Sequence, residues 1–462
     1  MKDSNWIIIF RLKEFSNYFT KDELIQLSLG CKVFRSCLSR YIFNSFNFRS
    51  FTDIGKYNDS IISDNEHIND HNRVYIYNPF KPLDSDLTKS KAQFNLDLKL
   101  FPNQPMELVV QSAEYYYHIL YDIPNVFTKL TTVIISHSIL QCELFQDLLN
   151  NLDCLNSLEL SNSSLIQFTK SSDITPIEWP SSLKRLKVCN NKTVRVEDRQ
   201  KNIILVNGRV QSSSNGNLTF TLKHLPKLTS FEYQLLFLQF DDENLWEFLK
   251  LNSQIKNLII RVPDFHPELF AAIQCIDNLS VLHLKFMIYN TFEVDYNNLP
   301  ILNNITSLTI TLYDKPDINN IIIDKFPNLA ELTVEIDSKD TIKLATMTKK
   351  LSNVKNLNLK ITFQRLKIKK FVFPKLDNLY SLEFILDNGI YLNDIDWNFD
   401  SCSNLKLVKF SKAESKVYMN LPKMNPELID NWKAVYSLIK SRIIEYKNKI
   451  NFDFVSCKVI IV

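Results

Sequence analysis

Glycine is scarce in this sequence, with only 5 residues (Gly30, Gly55, Gly208, Gly216 and Gly389), where average usage of roughly 7% predicts about 32. No two of them sit where a phosphate-cradling loop needs them. The Walker A loop, the dinucleotide fingerprint and the nucleophile elbow all depend on such glycines and are absent. Cysteine pairing is missing as well. The 8 cysteines are scattered without a CxxC pair, which leaves no disulfide framework and no zinc knuckle and points to a reducing compartment, the cytoplasm or nucleus. An excess of one charge is lacking too: 54 Lys plus Arg against 51 Asp plus Glu give +3, so neither nucleic acid nor an anionic membrane surface is demanded as a partner. No apolar run approaches the roughly 20 residues of a membrane span. The short run Trp6 to Phe10 is followed by charges rather than a small-residue cleavage site, so no signal peptide is expected.

The dominant feature present is a repeat. For 462 residues, length alone suggests about three domains or one elongated repeat array. An LxxLxL pattern recurs at Leu130-Val133-Ile135, Leu155-Leu158-Leu160, Leu183-Leu186-Val188, Leu228-Phe231-Tyr233, Ile255-Leu258-Ile260, Leu279-Leu282-Leu284, Ile305-Leu308-Ile310, Leu329-Leu332-Val334, Val354-Leu357-Leu359, Leu379-Leu382-Phe384 and Leu405-Val408-Phe410. The first residues are separated by 25, 28, 45, 27, 24, 26, 24, 25, 25 and 26 positions, nearly all inside the leucine-rich-repeat range of roughly 20 to 29. A weaker unit stands one period earlier at Leu108 to Val110. Alternation within each unit predicts a short strand whose last two apolar residues share a face. One repeat cannot bury that face alone, so strands must stack in parallel beneath a second layer. The expected fold class is α/β: a leucine-rich-repeat solenoid with parallel strands on the concave face and helices or loops on the convex face.

Helical spacing marks several connectors: Ser138 to Leu152, a segment opening at Asp241 or Asp242 with Leu245, Trp246, Phe248 and Leu249, and one after Asp264 with Leu269, Phe270 and Ile273. The interval of 45 holds an insertion at about 189–223, compatible with a hairpin or a loop. Asn425-Pro426-Glu427 opens a helix whose apolar stripe runs from Leu428 to Ile450. It suits an end cap with a terminal strand over 425–462, or alternatively a partner-binding or membrane-surface helix.

The N-terminal 1–50 carries no such repeat. Tyr18-Phe19, Leu24, Leu27, Leu29, Cys31, Lys32, Phe34 and Arg35 resemble the F-box, a small all-helical module, and an F-box followed by ribonuclease-inhibitor-like leucine-rich repeats is a familiar arrangement. The opening Leu-Pro of that pattern is replaced here by Ile7-Ile8, and its Trp by Phe34. The resemblance implies docking through Ile7, Ile8, Leu24, Leu27, Cys31, Phe34 and Arg35 to a Skp-type adaptor of a cullin-RING ubiquitin ligase. Of the asparagines that follow the third apolar residue in the repeat consensus, Asn191 is the clear match. Residues 51–90 are polar, rich in Asn, Asp and Ser, and read as a linker, leaving 91–424 for the repeats.

Tests for chemistry return weak patterns. His67 and His71 stand four apart in the polar segment, and Asp84-Ser85-Asp86 and Asp394-Ile395-Asp396 are short acidic triplets. Lys360, Arg365, Lys367, Lys369 and Lys370 form a basic cluster with Phe363 and Phe371 interleaved. None has the convergent context that a catalytic, metal or cofactor site needs, so a non-enzymatic chain without metal or cofactor is expected. What remains is the outward side of the strands: Glu159, Lys187, Glu232, Arg261, His283, Glu331, Glu335, Lys360, Glu383 and Lys409. Their charges alternate in sign, which suits a protein target better than a polyanion. A stand-alone repeat scaffold, whose N-terminal helices serve only as a cap, is the other reading of the same residues.

Overall fold

Each repeat forms its strand for the reason its spacing gives. In a computed structural model of the chain, the last two apolar residues of successive units, such as Val133/Ile135, Leu158/Leu160, Leu282/Leu284 and Leu357/Leu359, are buried, and the first, such as Leu130, Leu155 or Leu279, is buried in the turn before the strand. Burying each such side chain stabilises the fold by about 1.5–3 kcal/mol. The structure describes residues 18–55, 73–76, 85–101, 104–112, 117–168, 176–196, 203–206, 209–210, 215–218, 221–235, 243–262, 267–286, 296–311, 316–336, 351, 353–361, 370–372, 376–386, 396–398, 402, 404–412 and 458–461. They fall into two compact units, one of residues 1–236 and 241–255, the other of 237–240 and 256–462.

The first unit begins with helices α1 (Lys21–Leu29) and α2 (Lys32–Ile42), followed by strand β1 (Ser45–Asn47) and helix α3 (Phe48–Gly55). Its main sheet is wholly parallel, ordered β1, β3 (Glu107–Gln111), β4 (Thr132–Ser136), β6 (Ser157–Ser161), β8 (Arg185–Cys189) and β13 (Ser230–Gln234). The weak unit at Leu108 is therefore a true repeat strand, and one more precedes it. Phe46 on β1 stands opposite Leu108, so the end of the expected N-terminal module is the first strand of the repeat sheet. The boundaries expected at 50 and 90 both fall within helices, α3 and α4 (Ser85–Lys99). The reason is apolar: Phe48 and Phe94 from these helices are fully buried with ring centroids 6.1 Å apart. Two short helices, α5 (Tyr117–Leu120) and α6 (Ile123–Val126), precede β4.

At the end of β3, β4, β6 and β8 the chain turns a corner through Ser112, His137, Asn162 and Asn190, all with positive φ between 49° and 55°. None is glycine. Each corner N–H donates to the last carbonyl of the next strand, to Ser136, Ser161, Cys189 and Gln234 in turn, which offsets the cost of the left-handed conformation. One residue later, Ser138, Ser163 and Asn191 make a buried ladder. The Ser138 N–H donates to Ser163 Oγ at 3.2 Å and the Ser163 N–H to Asn191 Oδ1 at 3.0 Å, while Asn191 Nδ2 donates to the Leu160 carbonyl at 2.7 Å. The consensus asparagine thus has two serine counterparts that the sequence pattern does not announce. Asn191→Ala removes the acceptor of the buried Ser163 N–H and one donor to the Leu160 carbonyl, and a loss of about 1–3 kcal/mol is expected in chemical denaturation; a loss below 0.5 kcal/mol would show that the ladder is not structural.

Beyond the corner lies a second sheet of β5 (Ile139–Gln141), β7 (Ser164–Phe168), β9 (Lys192–Val196) and β12 (Asn215–Asn217). The helix expected over Ser138 to Leu152 is accordingly shorter, α7 (Cys142–Asn150). Ser138 is held by the ladder and Ile139 pairs with Ser164, so the first apolar pair is drawn into a strand. The insertion at 189–223 is a hairpin. Strand β10 (Ile203–Val206) pairs with β11 (Arg209–Val210), and on its other edge with β2 (Arg73–Ile76) from the segment expected to be a linker. Helix α8 (Glu243–Leu251) buries Leu245, Trp246, Phe248 and Leu249 as its spacing predicts.

The second unit is a parallel sheet of β14 (Asn257–Val262), β15 (Val281–Phe286), β16 (Ser307–Thr311), β17 (Glu331–Ile336), β18 (Asn356–Ile361), β20 (Ser381–Leu386), β22 (Leu407–Lys412) and β23 (Lys458–Ile461). Strand β19 (Lys370–Val372) pairs separately with β21 (Asp396–Asn398). Helices α9 (Pro267–Gln274) and α10 (Pro316–Ile323) each begin on a proline, whose missing N–H is surplus in the first turn. The turns before the strands are stitched by asparagine. The side-chain amides of Asn304, Asn328 and Asn353 donate to the carbonyls of Asp277, Asn303 and Pro327 one repeat earlier at 3.0, 2.9 and 3.1 Å, and Asn404 likewise reaches Asp377. The expected C-terminal cap helix at Leu428 to Ile450 lies outside the described residues, as do Asp241, Asp242 and Asp264.

Candidate binding faces

On each sheet the side chains that point away from the core fall into rows, because parallel strands in register set every second residue beside its counterpart. In the first unit one row runs Val109, Ile134, Glu159, Lys187, Glu232. Lys187 Nζ lies 3.0 Å from Glu159 and 3.8 Å from Glu232. Burial pulls the Lys187 ammonium down, but the hydrogen bond to Glu159 and the charges of both glutamates outweigh it, so its pKa is raised. Glu232 is itself buried, with Cys189 Sγ 3.9 Å from its Oε1. Glu232, expected as a target contact, is thus buried in the row as an internal partner of Lys187.

The second unit carries three outward rows. The first is Asn257, Val281, Ser307, Glu331, Asn356 and Ser381; the middle one is Ile259, His283, Thr309, Thr333, Asn358 and Glu383. In the third, Arg261 stands beside Lys285, and Glu335 beside Lys360. Lys285 Nζ donates to Glu335 Oε2 at 2.7 Å, reaching across the intervening strand β16, and Lys360 Nζ donates to Oε1 at 2.8 Å from the other side. Thr311 on β16 is small enough to let the first lysine pass, and its Oγ1 adds a bond to Oε2 at 3.3 Å. Burial pushes the Glu335 carboxyl up, yet the two lysine hydrogen bonds and charges prevail and hold it at about 2. Glu335, expected as a target contact, is therefore also mostly spent internally. His283 is half-buried, and burial together with the Arg261 charge depresses its pKa to about 4, so the ring is neutral at neutral pH. Glu331 is exposed, accepting a 3.4 Å bond from Asn356 Nδ2. Glu383 is half-buried opposite Lys409 in register.

The N-terminal helices have their own small core. α1 opens on a capping box, in which the Glu23 N–H donates to Thr20 Oγ1 at 3.3 Å and the Thr20 N–H donates to Glu23 Oε2 at 2.7 Å; these bonds lower the Glu23 pKa. α2 opens on Cys31, whose Sγ accepts from the Phe34 N–H at 3.4 Å. Leu24, Leu38 and Ile42 are buried together, with Leu27 and Phe34 half-buried against them. Leu24, expected as an adaptor contact, is thus packed in this core, while Leu27 and Phe34 present only part of their surface. Cys31 and Arg35 are exposed; Ile7 and Ile8 lie outside the described residues. In and just before these two helices the large apolar side chains exposed to solvent are Tyr18 at 84%, Leu29 at 61% and Val33 at 45%.

His67, His71, Asp84, Asp394, Arg365, Lys367 and Lys369 lie outside the described residues. Among the described residues no group of three or more His, Cys, Asp or Glu is placed to hold a metal ion, and no helix is long and apolar enough to cross a membrane. No protein-family model matches the chain, and no curated protein matches it. Among solved structures it is similar to the one titled "Crystal structure of TLR13-ssRNA13 complex", at 15% identity and a TM-score of 0.36, over 67% of this chain and 46% of that chain. The chain thus spans about half the length of that neighbour. By its own repeats and strand register, the fold is an α/β leucine-rich-repeat architecture.

Proposed function

We propose that the chain is a non-catalytic protein-interaction protein that holds a target on the open face of its repeat sheet and docks through its N-terminal helices to a Skp-type adaptor of a ubiquitin ligase, in the cytoplasm or nucleus. The observation that carries the first half is the pre-positioning of charged side chains on that face, where Lys187, Lys285 and Lys360 are each fixed by a glutamate. Side chains already ordered lose less entropy on binding. The second half is supported by Tyr18, Leu29 and Val33, apolar groups exposed around a helix pair whose core is otherwise complete.

A second reading has its own support. Phe43, at the end of α2, meets Phe101 edge-on at 5.7 Å, which ties the helix pair to the repeats as a cap would be tied, and makes the chain a stand-alone scaffold. Co-purification of the full chain with a purified Skp-type adaptor separates the two. A complex with the wild-type chain that weakens at least tenfold in Leu29→Asp/Val33→Asp, with the circular dichroism melt unchanged, is the expected result. Absence of a wild-type complex eliminates the adaptor half and leaves the scaffold.

A further inference from the structure

The third row of the second unit brings two cations, Lys285 and Lys360, onto one carboxylate, Glu335, with a third, Arg261, beside Lys285 on the next strand. The Lys285 and Lys360 ammonium groups share the two oxygens of one carboxylate and so lie within one screening length of roughly 8 Å at physiological salt, while Arg261 stands one strand, about 4.8 Å, beyond Lys285. The chain as a whole is nearly balanced at +3, so the excess is a local feature of this row. An ammonium has three donors, and Glu335 accepts one from each lysine. The Lys285 and Lys360 side chains remain 37% and 35% exposed. Glu335 acts as a peg that holds both ammonium groups at the face without cancelling them.

Four residues earlier on the same strand, the exposed Glu331 lies roughly 13 Å away at about 3.3 Å per residue. The face is therefore bipolar along the strand direction, cationic at one edge and anionic at the other. A chain of phosphates would meet Glu331, and Glu383 in the middle row, as like charges. A protein segment with one acidic and one basic side chain meets complementary charge at both ends, with neutral His283, Thr309 and Thr333 between them.

We propose that this face anchors an acidic side chain of an extended protein segment at Lys285 and Lys360, flanked by Arg261, and a basic side chain of the same segment at Glu331. The proposal rests on the protein-binding reading and specifies its partner chemistry.

The test is selection of a random 12-residue peptide library on the full chain at physiological salt. Selected peptides are expected to carry Asp or Glu with Lys or Arg three to five residues away. Their affinity should fall at least tenfold for Lys285→Gln/Glu335→Gln/Lys360→Gln, which removes the charges while keeping hydrogen-bonding groups of similar size. Arg261→Gln, which leaves the Glu335 peg intact, should weaken them several-fold and guards against misfolding of the triple variant. Peptides without acidic enrichment, or affinities unmoved by both variants, would overturn the proposal. If the same peptides instead weaken on Lys187→Gln, the protein-binding reading stands and this site fails; if no peptide is selected, both fail. Tighter binding of a single-stranded oligonucleotide than of any peptide, lost in the triple variant, would also overturn it.

Discussion

Phe46→Ala is expected to destabilise the first unit by about 4 kcal/mol, at the upper range of core truncations. Phe46 is 1% exposed and sits among three other rings, with centroids 5.0 Å from Phe51, 5.2 Å from Phe101 and 5.1 Å from Phe127. Each tilted or edge contact adds about 0.5–1.5 kcal/mol beyond area burial. The rings come from α3, from the segment after α4 and from the segment before β4, so no single neighbour can collapse into the cavity. Phe46→Leu, which keeps most of the volume, should cost about half as much. Urea denaturation followed by far-ultraviolet circular dichroism reads both; a loss under 1 kcal/mol for the alanine variant would show that the cluster is not cooperative with the sheet. Deleting residues 1–50 removes β1 along with the helix pair, so a deletion meant to probe the helices alone must stop before Ser45.

Acid is expected to weaken the second unit in two successive steps. Burial and Arg261 lower His283 from the ordinary histidine value of 6.5 to about 4, against the opposing charge of Glu335 and with the help of Lys285 and Lys360. Between those values the unfolded chain binds a proton that the folded chain refuses, so stability is full above about 6.5 and falls as pH drops towards 4. A shift of this size corresponds to about 3 kcal/mol at most, and residual solvent screening makes about 2 kcal/mol the reasonable expectation. Glu335, held at about 2 against the ordinary glutamate value of 4.5, adds a further loss below about 4.5 as its carboxylate is protonated and the two lysines lose their peg. His283→Asn should flatten the first step and leave the second. Denaturation midpoints at pH 7, about 5.5 and about 4.5 provide the measurement, and a wild-type midpoint constant from pH 7 to 5 would refute the assignment to His283.

The strands were legible because two periods coincide in them: alternation within each strand, and a repeat of about 25 residues that brings Leu282, Leu308, Leu332 and Leu357 to the same register position. Where one period stands alone, the reading failed. Ile139 and Leu140 have helical spacing to Leu144 and Leu148, and only the tertiary ladder through Ser138 and Ser163 assigns them to a strand. The aromatic run Tyr41, Phe43, Phe46, Phe48 suits a helical module, and Phe46 joins the sheet because Leu108 offers it an open edge. The charged rows of the face could be placed from alternation. Their pairing could not, since Lys285 reaches Glu335 past Thr311 on an intervening strand, and that depends on side-chain length and on what the next repeat places in between.

The asparagine stitching of the turns also bears on how the molecule ages. Asparagine deamidates when the backbone nitrogen of the following residue attacks its side-chain carbonyl carbon, a reaction fastest before glycine. Every stitching asparagine here precedes a bulky residue: Asn304-Ile305, Asn328-Leu329, Asn353-Val354 and Asn404-Leu405. In three of them the nitrogen that would attack is already donating, from Leu329 to the Phe326 carbonyl at 3.3 Å, from Val354 to Leu351 at 3.2 Å and from Leu405 to Cys402 at 3.2 Å. The susceptible Asn-Gly pairs, Asn207-Gly208, Asn215-Gly216 and Asn388-Gly389, all lie outside the stitching. Spontaneous chemical damage is therefore directed first to the Asn-Gly pairs, and the asparagines of the turns that hold one repeat to the next are protected from it.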